Sequence, residues 1–133
     1  MFQSKMNGYA YLAVVELPDS TEPTALAGSV AKRHNLPGPT VARVMGQLAK
    51  AGVLQSDRGV AGGFRLARPA AKISALQVFE AINGPIANWD FLPESVPKVW
   101  RKNVTDMFDK LTDDVRKRLE STSVADLRAG KKR

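Results

Sequence analysis

Gln55-Ser56-Asp57-Arg58-Gly59-Val60-Ala61-Gly62-Gly63-Phe64-Arg65-Leu66-Ala67-Arg68-Pro69 sets three glycines and three arginines on one predicted hairpin. Gly59, Gly62 and Gly63 let a chain turn tightly without side-chain clashes. Arg58, Arg65 and Arg68 project cations from the strands beside that turn, and the guanidinium fork suits phosphate. Val53 and Leu54 begin the outgoing strand. On the return, Phe64 and Leu66 alternate with Arg65 and Ala67, giving one apolar and one solvent-facing side. A basic hairpin directly after a short two-helix unit predicts a winged helix-turn-helix.

Upstream, Ser4 is placed to cap a first helix from about Lys5 to Leu17, in which Met6, Tyr9, Ala10, Ala13 and Leu17 recur at core-facing spacing before Pro18 stops it. Thr24 is the next predicted cap. The helix it starts, Ala25 to His34, places Leu26, Val30 and Ala31 on one face and ends before Asn35, a residue that tolerates a left-handed turn. Pro39 suits the first turn of a third helix, which should end at Gly52. Its buried stripe is Val41, Val44, Met45 and Leu48, which leaves Thr40, Arg43, Gly46 and Gln47 on the opposite side with Gly38 and Pro39 at the entrance.

Downstream, Ser74-Ala75-Leu76-Gln77 is a capping box, with Ile73 placed to staple onto Val78. A fourth helix runs to Ile82 and is closed by Gly84 and Pro85. From Ile86 to Lys102 the pattern is an irregular connector carrying Trp89, Phe91 and Trp100 among prolines. Val104, Phe108, Leu111, Val115 and Leu119 then repeat at steps of four and three on a long charged helix, a narrow seam suited to a partner helix. The last residues, Gly130 to Arg133, form a basic tail.

The 133 residues suit one domain with an accessory element, and their formal charge of +7 favours an anionic partner, nucleic acid before an acidic membrane. The basic excess is proportionally stronger in residues 1 to 69. No stretch approaches the roughly 18 to 20 apolar residues of a membrane span, and no signal peptide is recognised, so the protein is expected to be cytoplasmic, with no membrane partner. The chain has no cysteine and one histidine, His34. That rules out disulfides and thiol nucleophiles, starves imidazole-based catalysis and leaves no metal site expected. No phosphate-binding loop or paired-carboxylate motif is present, so the chain is not expected to be an enzyme.

For DNA, Arg43 can donate two hydrogen bonds to guanine and Gln47 can pair with adenine, with Thr40 beside them in a major groove. Pro37, Gly38 and Pro39 would let the helix start approach a phosphate. Arg58 beside the glycine turn suits a narrow minor groove, where the phosphate potential is most negative, and Arg65 and Arg68 suit phosphates. Lys5, Lys32, Arg33 and Lys50 are supporting phosphate candidates. Trp89, Phe91 and Trp100 more simply serve packing than an apolar effector pocket.

The chain resembles the BadM/Rrf-type family of bacterial winged helix-turn-helix regulators. The resemblance rests on Val30-Ala31 with Leu36-Pro37, on Leu48 to Leu54, and on Arg58-Gly59 followed by Gly62 to Ala67. It continues through Ile73 to Pro85, Val99-Trp100 and Ser123 to Leu127. It implies a homodimer with each third helix in the major groove and each wing along the adjacent minor groove. Cluster-binding members carry three cysteines in the connector corresponding to Ile86 through Trp100; this chain has none, so no iron-sulfur cluster, and no cofactor, is expected.

The expectation is therefore a mainly α fold with a small β-wing: a winged helix-turn-helix DNA-binding domain over residues 1–85, then a connector, dimerisation helix and basic tail over 86–133. Its function is expected to be that of a homodimeric, sequence-specific repressor that binds double-stranded DNA, with a small-molecule or protein effector left open. The alternatives are a winged-helix module that binds an acidic protein and a sequence-indifferent DNA-binding protein.

Overall fold

Ser4 opens the first helix, α1 (Lys5–Glu16), its hydroxyl accepting from the Met6 amide at 3.2 Å. Ala10, Ala13, Val14 and Leu17 are buried along its inner face. The computed structural model describes residues 4–57, 63–86 and 91–130. Among them no helix is long and apolar enough to cross a membrane.

The second helix, α2 (Ala27–Arg33), starts later than the sequence predicts. Thr24 does not cap it: Leu26 holds that position without a side-chain bond and is 54% exposed rather than packed on the inner face. The reason lies outside the local pattern. Ala25 forms a β-bridge with Phe64 of the hairpin, through amide–carbonyl bonds of 2.9 and 2.8 Å, and this extended segment delays the helix.

Two turns of the same kind set the path that follows. Asn35 takes a positive φ of 52°, its amide donates to Lys32 and the Leu36 amide reaches back to the Ala31 carbonyl, which closes α2. The third helix, α3 (Gly38–Lys50), ends likewise at Gly52, with φ of 82° and the Val53 amide bonded to the Leu48 carbonyl at 2.9 Å. A β-carbon is strained in that conformation, which glycine escapes at Gly52 and which asparagine tolerates better than most residues at Asn35. Glu16 pins the α1 end to the α2 end, accepting from Arg33 at 3.2 Å and meeting His34 Nε2 at 2.5 Å.

Val41, Val44, Met45 and Leu48 of α3 are buried with Val14, Val30 and Ala31 in the main core. The chain leaves Gly52 into β1 (Leu54–Asp57), which pairs antiparallel with β2 (Gly63–Leu66), Leu54 opposite Leu66 and Asp57 opposite Gly63. A 3-10 turn at Ala70–Lys72 leads to α4 (Ala75–Asn83). Its capping box is formed: the Gln77 amide donates to Ser74 Oγ at 3.1 Å and the Ser74 amide to Gln77 Oε1 at 2.9 Å. Ser74→Ala is expected to cost about 1 kcal/mol, read as a lower urea midpoint at unchanged slope.

The long helix, α5 (Lys98–Glu120), begins within the segment that the sequence assigns to the connector, because Pro97 starts it rather than breaks it. A short α6 (Val124–Arg128) follows, with its own capping box between Ser123 and Asp126. Val124 sits fully buried in the main core, and its amide bonds the Ile73 carbonyl at 2.8 Å. A second cluster of Leu76, Phe79 and Ile86 receives Tyr11, Val115 and Leu119. Tyr11 donates its hydroxyl to the Ala75 carbonyl at 2.9 Å, and burial pushes the phenol up to about 12, so it stays a donor.

Candidate nucleic-acid interface

Burial of Val41, Val44, Met45 and Leu48 turns the other side of α3 outward. Gly46, Gln47 and Lys50 lie three, four and seven residues along from Arg43 and so share that side with it, and all four are exposed. Pro39 is exposed at the entrance, with Gly38 and Thr40 half-buried beside it. A glycine inside a helix costs about 0.5–1 kcal/mol against alanine. A β-carbon at Gly46 would meet nothing within 4 Å, so packing does not require the missing side chain; its absence leaves the helix backbone bare beside Arg43 and Lys50.

The electrostatics of this face are one-sided. Between Glu22 and Asp57 the sequence contains no Asp or Glu, while α3 carries Arg43 and Lys50 and the end of α2 carries Lys32 and Arg33, the last paired with Glu16. The first turn of α3 carries no acid either, so the positive helix end and its free amides are uncompensated by side chains.

The hairpin is held against the segment between α1 and α2. Besides the Ala25–Phe64 bridge, the Leu66 amide donates to the Pro18 carbonyl at 2.9 Å and Arg65 Nη1 to the Glu22 carbonyl at 3.4 Å. Arg65 is thus partly engaged inside the chain. Its Nε is enclosed, and no acceptor among the described residues reaches it. Arg68 is half-buried at the end of β2. Arg58, Gly59 and Gly62 lie outside the described residues.

The seam residues fall into two stripes on α5. Val115 and Leu119 pack on the chain's own second cluster, with Thr112 buried beside them, and Phe108 meets Phe91 edge-on at 5.1 Å. About 100° around the helix, Trp100, Met107 and Leu111 are 64%, 56% and 47% exposed, with Val104 half-buried between them. Phe91 thus sits on Phe108 while Trp100 lies on the outer stripe, and Trp89 lies outside the described residues. Among the described residues an apolar recess of about 480 Å³ lies between Tyr11, Phe79, Val115, Leu119 and Leu127.

Sequence reasoning assigned Gly63 to the turn and Ala25 to a helix and missed the contact between them that seats the hairpin, and it missed Arg128, which reaches the end of α1. No local pattern marks either, because both act across the fold.

A recognition-type third helix beside a hairpin makes this a winged helix-turn-helix, a DNA-binding transcription regulator and not an enzyme. The chain belongs to the Rrf2 family, described as "Iron-dependent Transcriptional regulator", whose model matches residues 3–130. It is 32% identical to Rv1287 of Mycobacterium tuberculosis, a relative named among the HTH-type transcriptional regulators, over 92% of this chain and 78% of that one. It is 29% identical to the HTH-type transcriptional regulator CymR of Bacillus subtilis, over 79% of this chain and 72% of the relative. The solved structure of CymR, titled the global cysteine regulator of that bacterium, superposes with a TM-score of 0.74 at 25% identity over 94% of each chain.

The iron in the family description does not fit the residues present. The chain has no cysteine thiolate to hold a cluster. Its one histidine is engaged with Glu16, and among the described residues no three His, Asp or Glu side chains converge on a point.

Proposed function

We propose that two copies of this chain associate through α5 and bind a roughly palindromic duplex site as a repressor that works without an iron cofactor. The exposed, acid-free stripe of Arg43, Gly46, Gln47 and Lys50 opposite the buried face of α3 carries this reading. In it, Arg43 and Gln47 reach base edges with Thr40, while Gly38 and Pro39 bring the helix start to a phosphate. The wing supplies Arg58 to the minor groove beside Gly59 and Gly62, and Arg65 and Arg68 to the backbone. The working parts are residues 1–85 for DNA and 86–133 for association, with α6 returned against the first. Two-fold symmetry of the dimer would be mirrored in the half-sites.

Selection of bound duplexes from a random pool tests this directly. An inverted repeat, bound with affinity that falls steeply as salt rises, is the expected result. A pool that stays random, with weak binding to any duplex, would favour a sequence-indifferent protein; no DNA binding at all would favour a protein-interaction module. On the selected duplex, Arg58→Ala is expected to weaken binding by about 1–3 kcal/mol at fixed salt. Affinity equal to the parent's would remove Arg58 from the contact.

A further inference from the structure

Arg128 is the last residue of α6, yet its guanidinium closes the far end of α1. Nε donates to the Val14 carbonyl at 3.1 Å, Nη2 donates to the Leu17 carbonyl at 2.5 Å, and Nη1 pairs with the Asp19 carboxylate. The last turn of α1 contains no basic residue of its own. A helix C-terminus presents carbonyls without partners and a partial negative charge, so one guanidinium from the other end of the sequence supplies both the missing donors and the missing cation.

What hangs from that point is the wing. The segment that starts at Leu17 runs through Pro18, whose carbonyl takes the Leu66 amide, and Glu22, whose carbonyl takes Arg65. It ends at Ala25, bridged on both sides to Phe64. Every one of these bonds goes to β2. The hairpin itself has only two strands, and an isolated two-stranded hairpin is marginal in water, so its angle to α3 depends on the segment it leans on.

We propose that Arg128 is a positioning residue for DNA binding: by fixing Val14, Leu17 and Asp19 it holds the segment 18–25, and through it β2, at the angle that lets wing and α3 meet one duplex together. The proposal rests on the wing contact proposed above. It also makes α6 a mechanical link between the association helix and the wing, because α6 follows α5 after a three-residue turn.

The test is a double-mutant cycle on the duplex selected by the parent chain, with Arg58→Ala, Arg128→Ala, both together, and Arg128→Lys. Arg128→Ala is expected to weaken binding about fivefold or more while sedimentation still shows the parent's association state. Arg128→Lys, which keeps the charge and some of the donors, is expected to regain part of the loss. Because both residues act through the wing, the double variant is expected to bind no more weakly than the weaker single one. Exchange of the Leu66 and Phe64 amides is expected to quicken in Arg128→Ala, since these bonds tie β2 to the segment.

Losses that multiply in the double variant would overturn the proposal, as would parent-like affinity for Arg128→Ala. An Arg128→Ala chain that no longer self-associates would overturn it too, because the loss would then run through association. Parent-like binding by Arg58→Ala would remove the wing contact itself, a separate failure. Where Arg128→Ala does not fold, Arg128→Lys, which keeps the charge but cannot make all three contacts at once, carries the same cycle, with a smaller loss expected and parent-like affinity overturning the proposal.

Discussion

Gly63→Val is expected to lower the free energy of unfolding by about 3 kcal/mol or more and to weaken operator binding by the protein that remains folded. A β-carbon at Gly63 would stand 2.6 Å from the Ala25 carbonyl oxygen and 2.9 Å from its carbon. Both are backbone atoms, so neither can swing aside as a side chain would. Relief requires Ala25 to withdraw, and that breaks the two hydrogen bonds it shares with Phe64. Overpacking costs typically 1–3 kcal/mol, and each hydrogen bond removed adds about 1. Equilibrium denaturation in urea measures the first effect, and titration of the selected duplex at fixed salt measures the second. Gly63→Ala carries the same β-carbon and is expected to show a smaller loss of the same kind. A valine variant with the parent's midpoint would mean that the segment and the hairpin are not in contact in solution.

The same contact explains where the sequence misleads. Thr24 before Ala25 has the form of a helix cap, and local propensity alone favours that reading. A single bridge to a strand some 40 residues away overrides it, and nothing within reach of Thr24 signals the partner. By contrast, the features carried by short-range physics were legible: the buried stripe of α3, the turn at Gly52, the left-handed Asn35 and the Ser74 capping box each depend on residues within a few positions. Ser123 and Asp126 carry the same kind of capping signal and could have marked α6. For the DNA face, the exposed positions on α3 followed from its periodicity. The partial engagement of Arg65 with Glu22 did not, because it depends on how the hairpin leans on the rest of the chain.

Periodicity also had a limit on α5. Apolar residues at three- and four-residue steps mark a face, but a long helix can carry two such faces side by side, and spacing does not say which one turns inward. Val115 and Leu119 turn to the chain's own core, whereas Trp100, Met107 and Leu111 face away from it. An isolated exposed apolar residue is ordinary; three large ones in line on a helix otherwise rich in Lys, Asp and Arg form the patch a second copy would cover.

Leu111→Asp is therefore expected to split the proposed dimer without unfolding the chain. The side chain is 47% exposed in the single copy, so a carboxylate there remains hydrated until association buries it. At a closed two-fold contact the substitution appears in both subunits, placing two like charges in or near one apolar seam. Desolvating them is expected to cost about 3 kcal/mol or more, which raises the dissociation constant of the dimer roughly a hundredfold. Operator affinity is expected to fall at least as far, because a half-site held by one copy loses the effective concentration that the second copy supplies. Sedimentation at micromolar concentration reads the first effect, titration of the duplex reads the second, and a melting curve close to the parent's shows that the fold is intact. Phe108→Asp is the less clean comparison, since it also removes the edge-on contact with Phe91 within the chain. A Leu111→Asp chain that sediments as a dimer would move the interface off this stripe, and the apolar recess at Tyr11, Phe79 and Leu127 would then be the next surface to substitute.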